Sequence, residues 1–168
     1  MLKNNIQMFG GRGASSSLKN NSTSIRAGLK AYFAPKNFSD KYRDVSFKLG
    51  KQEIVTDTYS MYFLNNTNLK NAENDSVIRL AKEFDKKIDN ASNFTDINNY
   101  ITNEKEIKIE SNTINNNMYF NTKKIKQAKT ILGKDTKASI IYDDIGRPQM
   151  IFKNKKGEKG LLLPLAKF

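Results

Sequence analysis

Lys137-Ala-Ser-Ile-Ile-Tyr142, Pro148-Gln-Met-Ile-Phe-Lys153 and Gly160-Leu-Leu-Leu-Pro-Leu165 follow one another near the end of the chain. Each is a short apolar run bounded by turn-forming residues, the pattern of a β-strand. The intervening Asp143-Asp-Ile-Gly146 and Asn154-Lys-Lys-Gly157 read as hairpin turns, so the three runs form an antiparallel meander. Just upstream, Asn121-Thr122 offers a helix cap and Gly133 a C-terminal stop. Between them Ile125, Ala128, Ile131 and Leu132 recur at helical spacing. A helix packed on a meander is the expected core of the fold.

Working toward the N-terminus, Val45-Ser-Phe-Lys-Leu49 alternates apolar and polar residues before a turn at Gly50-Lys51. Gln52–Asp57 and Tyr59–Leu64 are β-branched and aromatic, and read as two more strands. Asp75 or Ser76 can cap a helix over Val77–Asp89, with Val77, Leu80, Ala81, Phe84 and Ile88 on its apolar face. Arg79, Lys82, Lys86 and Lys87 occupy the opposite face. A short helix is expected after Thr95-Asp96, and strands at Glu106–Glu110 and Met118–Phe120. Residues 10–24 are Gly, Ser, Asn and Thr with little apolar content, which reads as flexible chain. The expectation is therefore a flexible leader over residues 1–24 and a single α+β domain over 25–168. That domain carries an antiparallel β-meander sheet and two main helices.

The 168 residues contain neither Cys nor His. Disulfides, zinc ribbons and thiol nucleophiles are excluded, as is any mechanism that needs imidazole near neutral pH. No apolar run reaches bilayer-spanning length, and no signal-peptide core is present. The expected location is the cytoplasm of a cell, with no membrane partner. The net charge is +12 and is unevenly spread. Residues 1–50 carry nine Lys/Arg against two Asp/Glu, 51–110 carry eight against eleven, and 111–168 carry twelve against four. Such an excess attracts an anionic partner, nucleic acid first among them. The 21 Asn residues beside it show that compositional drift contributes too.

Two resemblances add to this reading. Asn5-Ile-Gln-Met-Phe-Gly-Gly-Arg-Gly-Ala-Ser-Ser-Ser17 resembles the openings of proteins from the head-gene clusters of tailed phages. It implies a phage or prophage gene, acting in the host cell or carried in a virion. Phe120–Leu165, with its helix, its Leu132-Gly133 stop and its closing Leu-Pro strand, resembles half of a sliding-clamp domain. Val45–Leu64, with Ile54-Val-Thr-Asp57 between two strands, is similar to a clamp-type hairpin. Together these cover under half of the chain, and they imply a fold without implying the three-domain ring of a whole clamp subunit.

Several stretches invite chemical readings. Gly10–Gly13 suggests a phosphate loop, but it lacks the following Lys-Ser/Thr and the preceding strand. Glu106-Ile-Lys108 fits half of a metal-dependent nuclease motif, with Asp57 or Asp75 as the second carboxylate. An exposed strand of alternating charge looks the same. Ser22-Thr-Ser24, Glu104-Lys-Glu106 and Arg12 match elements of ADP-ribosyltransferases. The stronger signal is two basic clusters. Lys123, Lys124, Lys126, Lys129 and Lys134 lie on and after one helix, and Lys153, Lys155, Lys156 and Lys159 surround a hairpin tip. Lys holds phosphate as a point charge, so these nine residues are the candidate partner-binding site. No cofactor, metal or catalytic residue is assigned. The expected function is a basic, non-catalytic accessory protein that binds nucleic acid or a nucleoprotein complex. One form is an inhibitor of a host defence nuclease of the anti-CRISPR type, with a CRISPR effector as partner. The alternatives are an enzyme acting on the host, as nuclease or ADP-ribosyltransferase, and a head-associated structural protein.

Overall fold

The computed structural model describes Ile25 and residues 27–33, 42–111 and 118–166. The leader, with Gly10–Gly13, Arg12 and Ser22–Ser24, lies outside the described residues. The chain is α+β. A helical segment at 27–33 (α1) precedes β1 (Val45–Leu49), β2 (Gln52–Thr56), β3 (Ser60–Leu64) and β4 (Lys70–Ala72). Then come α2 (Asp75–Asp89), β5 (Thr95–Asp96), a 3-10 turn (Ile97–Tyr100), β6 (Glu106–Ile109), β7 (Met118–Asn121) and α3 (Thr122–Leu132). The chain closes with β8 (Lys137–Tyr142), β9 (Pro148–Lys153), β10 (Lys159–Leu162) and β11 (Leu165–Ala166).

Eight strands form one sheet in the order β4-β1-β2-β3-β10-β9-β8-β5, and β11-β7-β6 form a second. All neighbours are antiparallel except β1 and β4. The two hairpins read from the sequence join β8 to β9 and β9 to β10, their turns closed by Gly146 and Gly157 at positive φ. The last strand is shorter than its apolar run. It leaves the large sheet after Leu162, because Pro164 has no N–H for a ladder, and β11 pairs with β7 instead.

The large sheet is covered on both faces, and side chains alternate between two cores. Val55, Tyr62, Leu64, Met150, Phe152 and Leu162 face α1 and α3. Ile54, Met61, Phe63, Ile151 and Leu161 face α2. Double coverage explains why Ser60-Met-Tyr-Phe-Leu64 is buried at every position and shows no alternation of polarity. Asn74 rather than Asp75 or Ser76 caps α2, its Oδ1 accepting from the Val77 N–H at 3.1 Å. Val77, Ala81 and Ile88 are buried as expected, but Leu80 is 42% exposed. It sits at the rim of a cavity rather than under the helix.

α1 packs flush against α3. A Cβ built on Gly28 falls 2.9 Å from both the Cα and N atoms of Ile131, so the contact is with helix backbone, which cannot swing aside. Gly28→Ala is expected to lower stability by about 1–3 kcal/mol despite the better helix propensity of alanine, because the helices must separate. A rise in melting temperature would show that the helices are not so closely seated.

Candidate nucleic-acid interface

α3 begins where Asn121 Oδ1 accepts from the Lys123 N–H at 2.9 Å, and ends at Gly133, whose φ of 99° an L-residue resists. Ile125, Ala128, Ile131 and Leu132 are buried against the sheet and α1. Gln127 Nε2 donates to the Ala31 carbonyl of α1 at 3.2 Å. On the other flank Lys129 Nζ donates to Asn98 Oδ1 of the 3-10 turn at 2.7 Å. The positions left facing outward are Lys123, Lys126 and Thr130, spaced three and four residues apart along one stripe. Lys134 continues it past the helix end.

The β9–β10 hairpin tip is docked against that same end. Asn154 Nδ2 donates to the Leu132 carbonyl and to Glu158 Oε2, both at 2.8 Å. Asn154 Oδ1 accepts from the Lys156 and Glu158 N–H groups. The Lys155 N–H donates to Asp135 Oδ2 at 3.1 Å. Asn154 therefore satisfies a carbonyl that the helix leaves open and holds the turn in register. Lys155 and Lys156, both exposed, are carried to the end of the α3 stripe.

The nine lysines read from the sequence fall into two groups. Among the described residues the ammonium groups of Lys123, Lys126, Lys134 and Lys155 make no ion pair, and with Lys156 these residues run along α3 and the hairpin tip at its end. The others are engaged elsewhere. Lys124 is ion-paired to Asp57, and its ammonium lies 5.0 Å from the centre of the Tyr32 ring. Lys129 is tied to Asn98. Lys153 stands over Phe94 at 4.9 Å, on the α2 side of the sheet. Lys159 is paired with Asp85 and Asp89 of α2 on that same side. Burial alone would lower the Lys159 pKa, but the two carboxylates hold it above the ordinary lysine value. Of the nine candidates, those whose ammonium groups are not tied elsewhere are thus fewer than the sequence suggests, and they lie on α3, just past its end and at the hairpin tip.

Beneath the N-terminal end of α3 lies a polar cluster that the sequence does not announce. Asp57 Oδ1 accepts from the Tyr59 N–H, the Ser60 N–H and Ser60 Oγ at 3.0, 2.8 and 3.0 Å, and Oδ2 holds Lys124. Tyr32 of α1 donates from its hydroxyl to the Ser60 carbonyl at 3.0 Å. Burial pulls the Asp57 pKa upward, yet Lys124 and the Ser60 donors hold it below the usual carboxylate range. Burial and the nearby Asp57 charge push both Tyr32 and Tyr62 above the ordinary tyrosine value. The cluster clamps α1, α3 and the β2–β3 turn together.

Glu106 lies on β6 beside Asn121, while Asp75 starts α2, which packs on the other face of the large sheet. Among the described residues no three carboxylates come close enough to hold a metal ion. A cavity of about 210 Å³ opens between α2 and the sheet, lined mainly by Tyr42, Tyr59, Met61, Leu80, Phe84 and Leu163. It lies on the face away from α3. Among the described residues no helix is long and apolar enough to cross a membrane. Comparison of the chain with protein-family models, curated proteins and solved structures finds no match.

Proposed function

We propose that this chain is a basic, non-catalytic protein that binds the phosphate backbone of nucleic acid, free or within a nucleoprotein complex. The observation that supports it is the strip itself. Lys123, Lys126, Lys134 and Lys155, whose ammonium groups make no ion pair among the described residues, lie with Lys156 along a helix and the hairpin docked at its end. The fold pairs Lys124 and Lys159 with carboxylates, whereas the ammonium groups of Lys123, Lys126, Lys134 and Lys155 make no ion pair among the described residues. In the phage or prophage setting that the N-terminal resemblance implies, the complex would be a host defence nuclease of the CRISPR type.

Affinity measured against salt for wild type and for Lys123, Lys126, Lys134 and Lys155 all changed to Glu tests the reading. Wild-type binding should fall steeply with salt through counterion release, and losing four contacts should flatten the log–log slope by about 3–4. The variant should bind at least about a hundredfold more weakly at low salt, with its melting temperature nearly unchanged, since exposed charges contribute little to folding. Lys124 is left intact, because reversing it would set a second carboxylate against Asp57. A variant that binds as well as wild type would show the charge to be compositional and would redirect the search to protein partners.

A further inference from the structure

We infer that the nucleic acid held by this strip is a duplex, gripped by its phosphates without regard to base sequence; the inference rests on the nucleic-acid reading above. α3 is not free to enter a groove. On one flank α1 approaches it to backbone contact at Gly28 and Ile131, and on the other the 3-10 turn is tied to it through Lys129 and Asn98. The hairpin tip blocks its C-terminal end through Asn154 and Lys155. A helix is itself about 10–12 Å across, so a major groove about 12 Å wide admits one only when it stands clear of its neighbours. Of α3, Lys123, Lys126 and Thr130 are the exposed positions, and they form its outermost row. The strip must lie across phosphates rather than between them.

The chemistry of the strip agrees with that geometry. Lysine is a point charge and lacks the planar fork that reads a base edge in two hydrogen bonds. Binders of single strands add exposed aromatic rings on which bases stack. Among the described residues this strip has no exposed ring. The exposed Tyr59 lines the cavity on the opposite face. The exposed Tyr142 lies at the end of β8 that pairs with Pro148, whereas the Lys155 tip grows from the end where Lys137 pairs with Lys153. A row of charges without rings is attracted in proportion to phosphate density, and a duplex presents two strands of phosphates to it.

The full chain is titrated, by fluorescence anisotropy, into DNA and RNA duplexes of about 20 base pairs, their single strands, and a second unrelated sequence of each, at low and moderate salt. The better of the two duplexes should bind at least about tenfold tighter than either single strand, and the two sequences should agree within about twofold. The DNA and RNA arms identify which duplex is preferred. A single strand that binds as tightly as the duplexes, or a tenfold preference for one sequence, overturns this inference and leaves the nucleic-acid reading standing. Failure of every nucleic acid to bind removes that reading as well.

Discussion

Asp57→Ala is expected to destabilise the protein by about 3–5 kcal/mol, as the loss of one partner from a mostly buried ion pair does. The Asp57 side chain is 10% exposed and that of Lys124 19%, so the lysine would be left with little solvent to replace its partner. Two backbone N–H groups would lose their acceptor as well, those of Tyr59 and Ser60. The turn they shape is strained, because Thr58 is a β-branched residue at a φ of 75°. Lys124→Met should be milder, since Asp57 keeps its three donors from Tyr59 and Ser60 and the apolar chain still covers Tyr32. The pH dependence follows from the same contacts. The Asp57 pKa is lowered in the folded state, so its contribution is full above the ordinary carboxylate pKa and is lost as pH falls through the folded value. Urea titrations at neutral and acid pH should show the gap between wild type and Asp57→Ala closing on the acid side. An equal gap at both would mean that the ion pair is not what the substitution removes.

The same pair shows where the sequence stops being legible. Lys124 and Lys126 look alike in a helix of scattered lysines, but Asp57 stands 67 residues from Lys124 in the chain and meets it only once the β2–β3 turn is folded under α3. Lys159 and Asp85, 74 residues apart, repeat the case on the other face. Strands and helices with a strong apolar period were readable, because local spacing carries them: β1, β2, β3, β8, β9 and α3. β4 was not, since Lys-Asn-Ala has no apolar pattern and becomes a strand only by pairing with β1. The exposure of Leu80 was hidden for a related reason, as helical spacing gives a face but not where the covering sheet ends. Asn154 reads as an ordinary turn residue, and its bond to the Leu132 carbonyl depends on how a hairpin docks on a helix 22 residues away. The class of fold is a local property of this chain. Which lysines stay open to a partner is a tertiary one.

Gly160→Ala should be nearly as damaging, at about 2–4 kcal/mol, for a steric reason. Gly160 stands in β10 directly opposite Tyr62 of β3 and Phe152 of β9, on the face covered by α1 and α3. The two rings close over the space that a side chain would fill. A Cβ there lies 2.7 and 2.8 Å from Cδ1 and Cε1 of Tyr62, and 3.3 Å from Cδ2 of Phe152. Tyr62 cannot retreat, being fully buried with its ring edge-on to Tyr32 at 5.4 Å. Moving it would also disturb Tyr32, whose hydroxyl holds the Ser60 carbonyl beside Asp57. A glycine roofed by a cross-strand aromatic thus couples the middle of the sheet to the clamp under α3. The double substitution Gly160→Ala with Tyr62→Leu separates this account from a simple loss of strand order. Leucine vacates the ring's space and ends the burial of a tyrosine hydroxyl that has no hydrogen-bond partner among the described residues. The pair should therefore be more stable than the two separate losses added together, by about 1–2 kcal/mol in a double-mutant cycle. Strictly additive losses would mean that Gly160 is required by its backbone and not by the ring above it.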